Sequence, residues 1–177
     1  VDPFDLVIFG ATGDLARRKI LPGLFRRFQS GQMTGDSQII GAARSEMDET
    51  GFRDLVRDAI QEFGPKQATT AEVDEFLQHL SYVPIDAKGT GGWDMLKSKM
   101  RRDCVRAFYF SVAPALFGDL AERLHGYEIA LDDSRIVVEK PFGKDLASAR
   151  ALNATLAKHF REDQIYRIDH YLGKETV

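Results

Sequence analysis

Leu6-Val7-Ile8-Phe9 is an unbroken apolar run that ends in Gly10-Ala11-Thr12-Gly13 and passes at once into apolar residues at helical spacing. A run without polar alternation fits a strand buried on both faces, which requires helices above and below it. The same alternation repeats along the chain. Ile20, Leu21, Leu24, Phe25 and Phe28 share one helical stripe, and Pro22, lacking an N–H and crowding the turn before it, predicts a kink or restart. Gln38–Ala43 reads as the second strand. Phe52, Leu55, Val56, Ala59, Ile60 and Phe63 form a long stripe ended by Gly64-Pro65. Val73, Phe76, Leu77 and Leu80 predict a shorter helix before a strand at residues 82–85, and residues 88–92 (K-G-T-G-G) are a loop by composition. Residues 105–112 and 135–138 are further strands, with a helix opened by Pro114 between them. Leu146, Ala149, Leu152, Leu156 and Phe160 mark a last long helix before a strand at Ile165–Ile168. The pattern predicts one α/β domain, doubly wound, with a mainly parallel sheet and helices on both faces.

Composition excludes several classes. At 177 residues and 44% hydrophobic the chain can bury a core as one unit. A net charge of -3 carries no basic surplus for nucleic acid. There is no apolar run of 18 residues and no basic-then-apolar leader, so no membrane association or sorting signal is expected. Cys104 is the single cysteine; it can form neither an internal disulfide nor a thiolate metal cage, which fits a reducing cytoplasm and no metal. Repeats, low-complexity segments and linkers are absent.

The turn Gly10–Leu15 lies between the first strand and the first helix. Glycine there allows a tight turn and lets the backbone approach a pyrophosphate, which the free N–H groups of the helix start then bind. Its spacing, G-x-x-G-x-x-A, departs from G-x-G-x-x-G, and a turn that merely needs glycine is the alternative. Its position after the first strand of an alternating pattern favours phosphate binding, with Gly10, Ala11, Thr12, Gly13, Asp14 and Leu15 as candidates. The second strand then runs into Arg44-Ser45. A dinucleotide site for NAD places a carboxylate there; a guanidinium and a hydroxyl suit the 2′-phosphate of NADP, unless Arg44 is simply solvated.

Glu139-Lys140-Pro141-Phe142 follows the strand at 135–138, at the sheet edge where ligands bind in open α/β folds. Lys140 could reach a coenzyme or a substrate hydroxyl, or be a surface charge. Residues 167–175 (R-I-D-H-Y-L-G-K-E) crowd an acid, an imidazole, a phenol and an ammonium together, two residues before the sequence ends. If the chain turns helical after Asp169, His170 and Lys174 share a face as a phosphate clamp, with Tyr171 as a further donor. Asp169 either orients a partner histidine or caps the helix. A reactive cluster at the terminus predicts the cofactor half of a larger enzyme.

Taken together, G-A-T-G-D-L-A-R-R-K from Gly10, the Arg44-Ser45 pair, E-K-P-F-G at 139–143 and R-I-D-H-Y-L-G-K-E at 167–175 resemble glucose-6-phosphate dehydrogenase. The nine-residue run is very specific to that family; the glycine turn alone is not. The resemblance implies that residues 1–177 are a Rossmann-like NADP-binding domain, with the family's larger C-terminal α+β domain lying beyond them. It implies oxidation of C1 of glucose 6-phosphate to 6-phosphogluconolactone in the pentose phosphate pathway, with hydride transfer to NADP, in a cytoplasmic homo-oligomer. Carried over by motif, Gly10–Leu15, Arg44 and Ser45 would hold NADP, with Asp86 on the adenosine side. Lys140 would meet coenzyme and sugar. His170 and Lys174 would hold the sugar phosphate with Tyr171 beside them, Lys19 would lie near the substrate, and Asp169 would orient a general-base histidine that lies beyond the nine-residue run. His79, His125 and His159 do not follow that motif, so the chain alone is expected to be inactive.

Two other readings compete. A glucose–fructose oxidoreductase-like enzyme also carries E-K-P after a strand but leaves R-I-D-H-Y-L-G-K-E unexplained. A non-catalytic NADP sensor would need no clamp such as His170 and Lys174. A short-chain dehydrogenase is excluded, because no tyrosine is followed by lysine at the fourth position.

Overall fold

The computed structural model describes residues 2–139 and 145–168. Six strands, β1 (Phe4–Phe9), β2 (Gln38–Ala43), β3 (Leu80–Pro84), β4 (Val105–Phe110), β5 (Arg135–Glu139) and β6 (Ile165–Ile168), form one sheet in the order β3-β2-β1-β4-β5-β6. Every pairing is parallel. The arrangement is the doubly wound, Rossmann-like α/β fold.

Strand periodicity explains how both faces are covered. Along β1, Leu6 and Ile8 point into one apolar layer while Val7 and Phe9 point into the other. The first layer holds Phe25 of α1 (Leu21–Gln29), Phe52, Val56 and Ile60 of α2 (Glu49–Phe63), and Phe76 of α3 (Thr70–Leu77). The second holds Trp93 and Leu96 of α4 (Trp93–Lys99), Phe117, Leu120 and Leu124 of α5 (Phe117–Gly126), and Leu156 of α6 (Leu146–Ala157). Among the described residues no helix is long and apolar enough to cross a membrane.

Local chemistry sets the element ends. An α-helix starts at Leu21 after a wider segment: the helix changes type at Pro22. The helix widens just before it, over Ala16–Ile20, where the Leu21 N–H bonds to the Ala16 carbonyl in a π-type turn that relieves the proline ring's crowding of the preceding turn. Asp48 caps α2 through the Gly51 N–H at 2.7 Å. Thr69 and Glu72 form a reciprocal capping box on α3, with the Thr69 N–H bonding the Glu72 carboxylate and the Glu72 N–H bonding the Thr69 hydroxyl.

The box makes α3 sensitive to acid. The Thr69 N–H, then the Thr69 hydroxyl and Gln29, hold the Glu72 carboxyl below its usual value of 4.5. A depressed folded pKa stabilises the fold above the unfolded value and loses that stabilisation as pH falls through the folded value. Glu72→Ala is therefore expected to lower Tm at neutral pH, with the deficit narrowing below pH 4.5. A deficit independent of pH in thermal scans would contradict this.

Three expectations need correction, and one helix was not foreseen. Leu80, grouped with the helix of Val73, Phe76 and Leu77, instead opens β3, which runs Leu80–Pro84 rather than over 82–85. The strand predicted at 105–112 stops at Phe110, and Ser111-Val112 belong to the loop beyond it. Helix α4 was hidden behind the glycine-rich run at 88–92; it is seven residues long and buries only Trp93 and Leu96. The stripe Leu146, Ala149, Leu152, Leu156 and Phe160 is not a buried face throughout: Leu156 and Phe160 are buried, whereas Leu146 is 66% exposed. Helical spacing fixes which residues share a face, but not whether a neighbour covers it.

Candidate functional site

The carboxyl ends of β1, β2, β3 and β4 surround a cleft of about 520 Å³. It lies where the connections leave the sheet in opposite directions, with β2 on one side of β1 and β4 on the other. Phe9, Gly10, Thr12 and Gly13 line it from β1, and Ala42, Ala43, Arg44 and Ser45 from β2. Ile85, Asp86, Ala87 and Lys88 follow β3, and Ser111 and Val112 follow β4.

The turn after β1 is wedged between its neighbours. The Gly10 N–H bonds to the Ala42 carbonyl at 2.8 Å, and the Ser111 N–H bonds to the Phe9 carbonyl at 2.9 Å. Gly10 has φ +83, and a Cβ built on it would stand 2.0 Å from the Ser111 carbonyl oxygen. Only glycine fits that position. The Gly13 N–H closes the turn onto the Gly10 carbonyl at 3.0 Å, and the Arg17 N–H returns to Gly13 at 3.1 Å. The helix begins at Asp14, directly after Gly13; its first N–H groups have no earlier turn to bond, and Gly13 offers no side chain to cap them. An uncapped helix start behind a glycine turn presents donors and a positive dipole end to an anion.

Candidates from the first turn divide. Gly10, Thr12 and Gly13 line the cleft, whereas Ala11 is fully buried and Leu15 packs against the core. Asp14 pairs with Arg18 at 2.8 Å on the exposed side, where Arg18 also lies 5.0 Å over the Phe63 ring. Lys19 is half-buried on the wide turn, outside the cleft lining.

Arg44 and Ser45 are exposed at the mouth of the cleft. Their turn is held from β3 by the Tyr82 hydroxyl, which reaches the Ser45 carbonyl at 2.7 Å and the Ala43 carbonyl at 3.1 Å. Burial, followed by the nearby Glu46 charge, pushes the Tyr82 phenol above its usual pKa and keeps it a donor. Asp86 also lines the cleft; its carboxylate accepts from the Lys88 N–H at 3.1 Å.

Sequence reading missed Lys88, Ser111 and Val112 as wall residues. Lys88 stands two residues after Asp86, inside the glycine-rich loop, and that spacing was the available signal. Ser111 and Val112 were absorbed into an over-long strand.

At the other end of the sheet, the Tyr109 hydroxyl donates to Glu139 at 2.5 Å. Burial, then the hydrogen bond and charge of Glu139, drive the Tyr109 phenol far above its usual range, so it remains protonated. This bond ties the ends of β4 and β5 together immediately before Lys140. Lys140, Asp169, His170, Tyr171 and Lys174 lie outside the described residues. Of the nine-residue run, Arg167 bonds to Asn153 at 2.9 Å and pairs with Glu162. It thereby fastens β6 to α6 and the turn preceding β6.

Among the described residues, His79, His125 and His159 stand apart from the cleft lining. The His79 Nδ1 is 2.8 Å from the Ser37 carbonyl, and His125 and His159 face one another with ring centroids 5.6 Å apart. Burial, then the charge of Asp5, raises the Cys104 thiol's pKa, which favours the thiol over the thiolate.

Residues 7–177 match the family described as glucose-6-phosphate dehydrogenase, NAD binding domain. The whole chain is 49% identical over 180 residues to the glucose-6-phosphate 1-dehydrogenase of Rhizobium meliloti (strain 1021), and 49% identical over 182 residues to that of Gluconobacter oxydans (strain 621H). It spans 37% of the length of each. Among solved structures it is similar to a glucose-6-phosphate 1-dehydrogenase from Mycobacterium avium, with TM-score 0.89 and 38% identity over 97% of this chain and 37% of the other. A glucose-6-phosphate dehydrogenase in complex with glucose-6-phosphate gives TM-score 0.86 and 35% identity, with the same coverage.

Proposed function

This chain belongs to the glucose-6-phosphate dehydrogenase family, and from that premise we propose that it is the coenzyme-binding part of an enzyme that oxidises C1 of glucose 6-phosphate to 6-phosphogluconolactone. NADP, when bound, supplies the hydride acceptor. The family match favours this reading over a glucose–fructose oxidoreductase or a sensor.

The observation that carries the coenzyme choice is Arg44-Ser45 at the end of β2, lining the cleft where an NAD site would place a carboxylate. The residues fit a dinucleotide. Gly10 and Gly13 keep side chains out of the phosphate path, Thr12 adds a hydroxyl, and the uncapped helix start offers N–H donors. Asp86 faces the adenosine side. Arg44→Ala is expected to weaken NADP binding about 10–100-fold, the worth of charge-assisted hydrogen bonds to one phosphate, while NAD binding stays roughly unchanged. Calorimetric titrations with both dinucleotides check this, and equal losses would sink it.

The remaining roles follow the family motifs. Lys140 meets coenzyme and sugar, Lys19 lies near the substrate, and His170 and Lys174 hold the sugar phosphate beside Tyr171. Asp169 orients a general-base histidine supplied by a larger α+β domain. General-base catalysis is worth roughly 10²–10⁴ in rate, so these 177 residues bind coenzyme without turning over glucose 6-phosphate. The same preparation used for the titrations should form no NADPH from glucose 6-phosphate; measurable turnover would refute the division of labour.

A further inference from the structure

The wall of the cleft beyond β3 is the least self-supporting part of it. Residues 86–92 contain three glycines, and a glycine-rich loop loses much conformational freedom when it is fixed. Its internal bonds are few: the Asp86 N–H to the Gly91 carbonyl at 3.0 Å, the Gly89 N–H to the Asp86 carbonyl at 3.2 Å, and the Lys88 N–H to the Asp86 carboxylate. Trp93 fastens its base, donating its indole N–H to the Asp86 carbonyl at 2.9 Å.

One side chain fastens its tip. Arg123, on α5 and 34 residues away in sequence, donates Nε–H to the Gly89 carbonyl at 2.7 Å and an Nη2–H to the Lys88 carbonyl at 2.5 Å. Its remaining terminal nitrogen bonds to the Asp119 carbonyl at 3.3 Å, with the Asp119 carboxylate 3.8 Å away. The guanidinium is therefore anchored to its own helix on one side and grips two consecutive loop carbonyls on the other. The planar fork of arginine can do this; the single ammonium of lysine cannot grip both carbonyls in the same way. The side chain is 21% exposed; its bond to the Gly89 carbonyl is partly buried, and the one to Lys88 lies at the surface.

We infer that Arg123 is a positioning residue for the adenosine end of the coenzyme. By strapping Lys88 and Gly89 to α5, it holds the loop in the shape that presents Asp86, Ala87 and Lys88 to the cleft. The inference rests on the dinucleotide reading of this cleft. A binding wall that is formed only part of the time weakens affinity in proportion to the fraction formed. If the unstrapped loop holds its binding shape about one-tenth of the time, Kd rises about tenfold.

The test uses adenosine 2′,5′-bisphosphate as probe of the adenosine end and nicotinamide mononucleotide as probe of the other, titrated calorimetrically into this chain well below its Tm. Arg123→Met is expected to raise the Kd of the adenosine probe about tenfold and leave that of nicotinamide mononucleotide unchanged. Arg123→Lys, the milder change, should fall between Met and arginine, and its Asp86 and Gly89 amides should exchange hydrogen faster than in the unsubstituted chain. That exchange measurement stands even if the methionine variant fails to fold. A lowered Tm with unchanged adenosine-probe affinity would reduce Arg123 to a structural strut, and equal losses for both probes would point to general loosening; either overturns the inference. If the unsubstituted chain bound neither probe, the dinucleotide reading itself would fall, an outcome distinct from the other two.

Discussion

Gly10→Ala is expected to cost the fold about 3–5 kcal/mol, the sum of a left-handed backbone strain and an overpacked contact. Both causes are visible. Gly10 has φ +83, and an added Cβ would stand 2.0 Å from the Ser111 carbonyl oxygen, with the Val112 side chain at 3.0 Å. The turn cannot retreat easily, because the Gly10 N–H is bonded to Ala42 and the neighbouring Phe9 carbonyl to Ser111. Gly31 supplies the control: its φ is +76, yet nothing lies within 4 Å of a Cβ built there. Gly31→Ala should therefore lose only the backbone contribution, about 1–2 kcal/mol. Denaturant unfolding of the two variants separates strain from clash. Equal losses would mean that the turn relaxes away from Ser111, and the steric account would be wrong. The same clash should also remove dinucleotide binding, since it pushes apart the two loops that form the cleft floor.

Asp5→Ala is the second large effect expected, about 3 kcal/mol, at the low end of what breaking a buried ion pair costs. Asp5 is fully buried at the amino end of β1. One carboxylate oxygen accepts from the Arg101 Nε–H at 2.9 Å and from Nη2 at 2.7 Å, and the other from the Arg101 backbone N–H at 2.7 Å. Arg101 Nη2 also reaches the Phe4 carbonyl at 3.2 Å. Burial alone would lower the Arg101 pKa, but the hydrogen bond and charge of Asp5 outweigh it, so its guanidinium titrates above the usual value. Arg101 is 34% exposed, so water can partly solvate the guanidinium left behind, which sets the low end of the range. A double-mutant cycle with Arg101→Met isolates the pair. If the two single losses simply add, the ion pair contributes nothing of its own and the loss at Asp5 belongs to the backbone bond.

Much of the fold was legible because its signals are local. The order of strands and helices follows from short apolar runs alternating with stripes at helical spacing, and Gln38–Ala43 and Ile165–Ile168 were read with their observed bounds. The glycine turn after β1 and Arg44, which both line the cleft, stood out in the sequence for the same reason: each is a short motif at a strand end. The errors share one cause. Ser111 and Val112 lie outside the β4 pairing with β1, which ends at Phe9 and Phe110. Leu146 keeps helical spacing but is 66% exposed, uncovered among the described residues.

By itself the sequence determined the doubly wound α/β class, the family, and the residues Gly10, Gly13 and Arg44 on which the nucleotide reading rests. Only the tertiary structure decided that the ends of β1, β2, β3 and β4 enclose one cleft, and that Gly10 lies against Ser111. It alone revealed that Arg123 grips the loop at Lys88 and Gly89, and that Asp5 meets Arg101 across a separation of 96 residues. The physical reason is range. Backbone periodicity and turn chemistry act over a few residues, whereas these contacts form only after the helices and strands have packed.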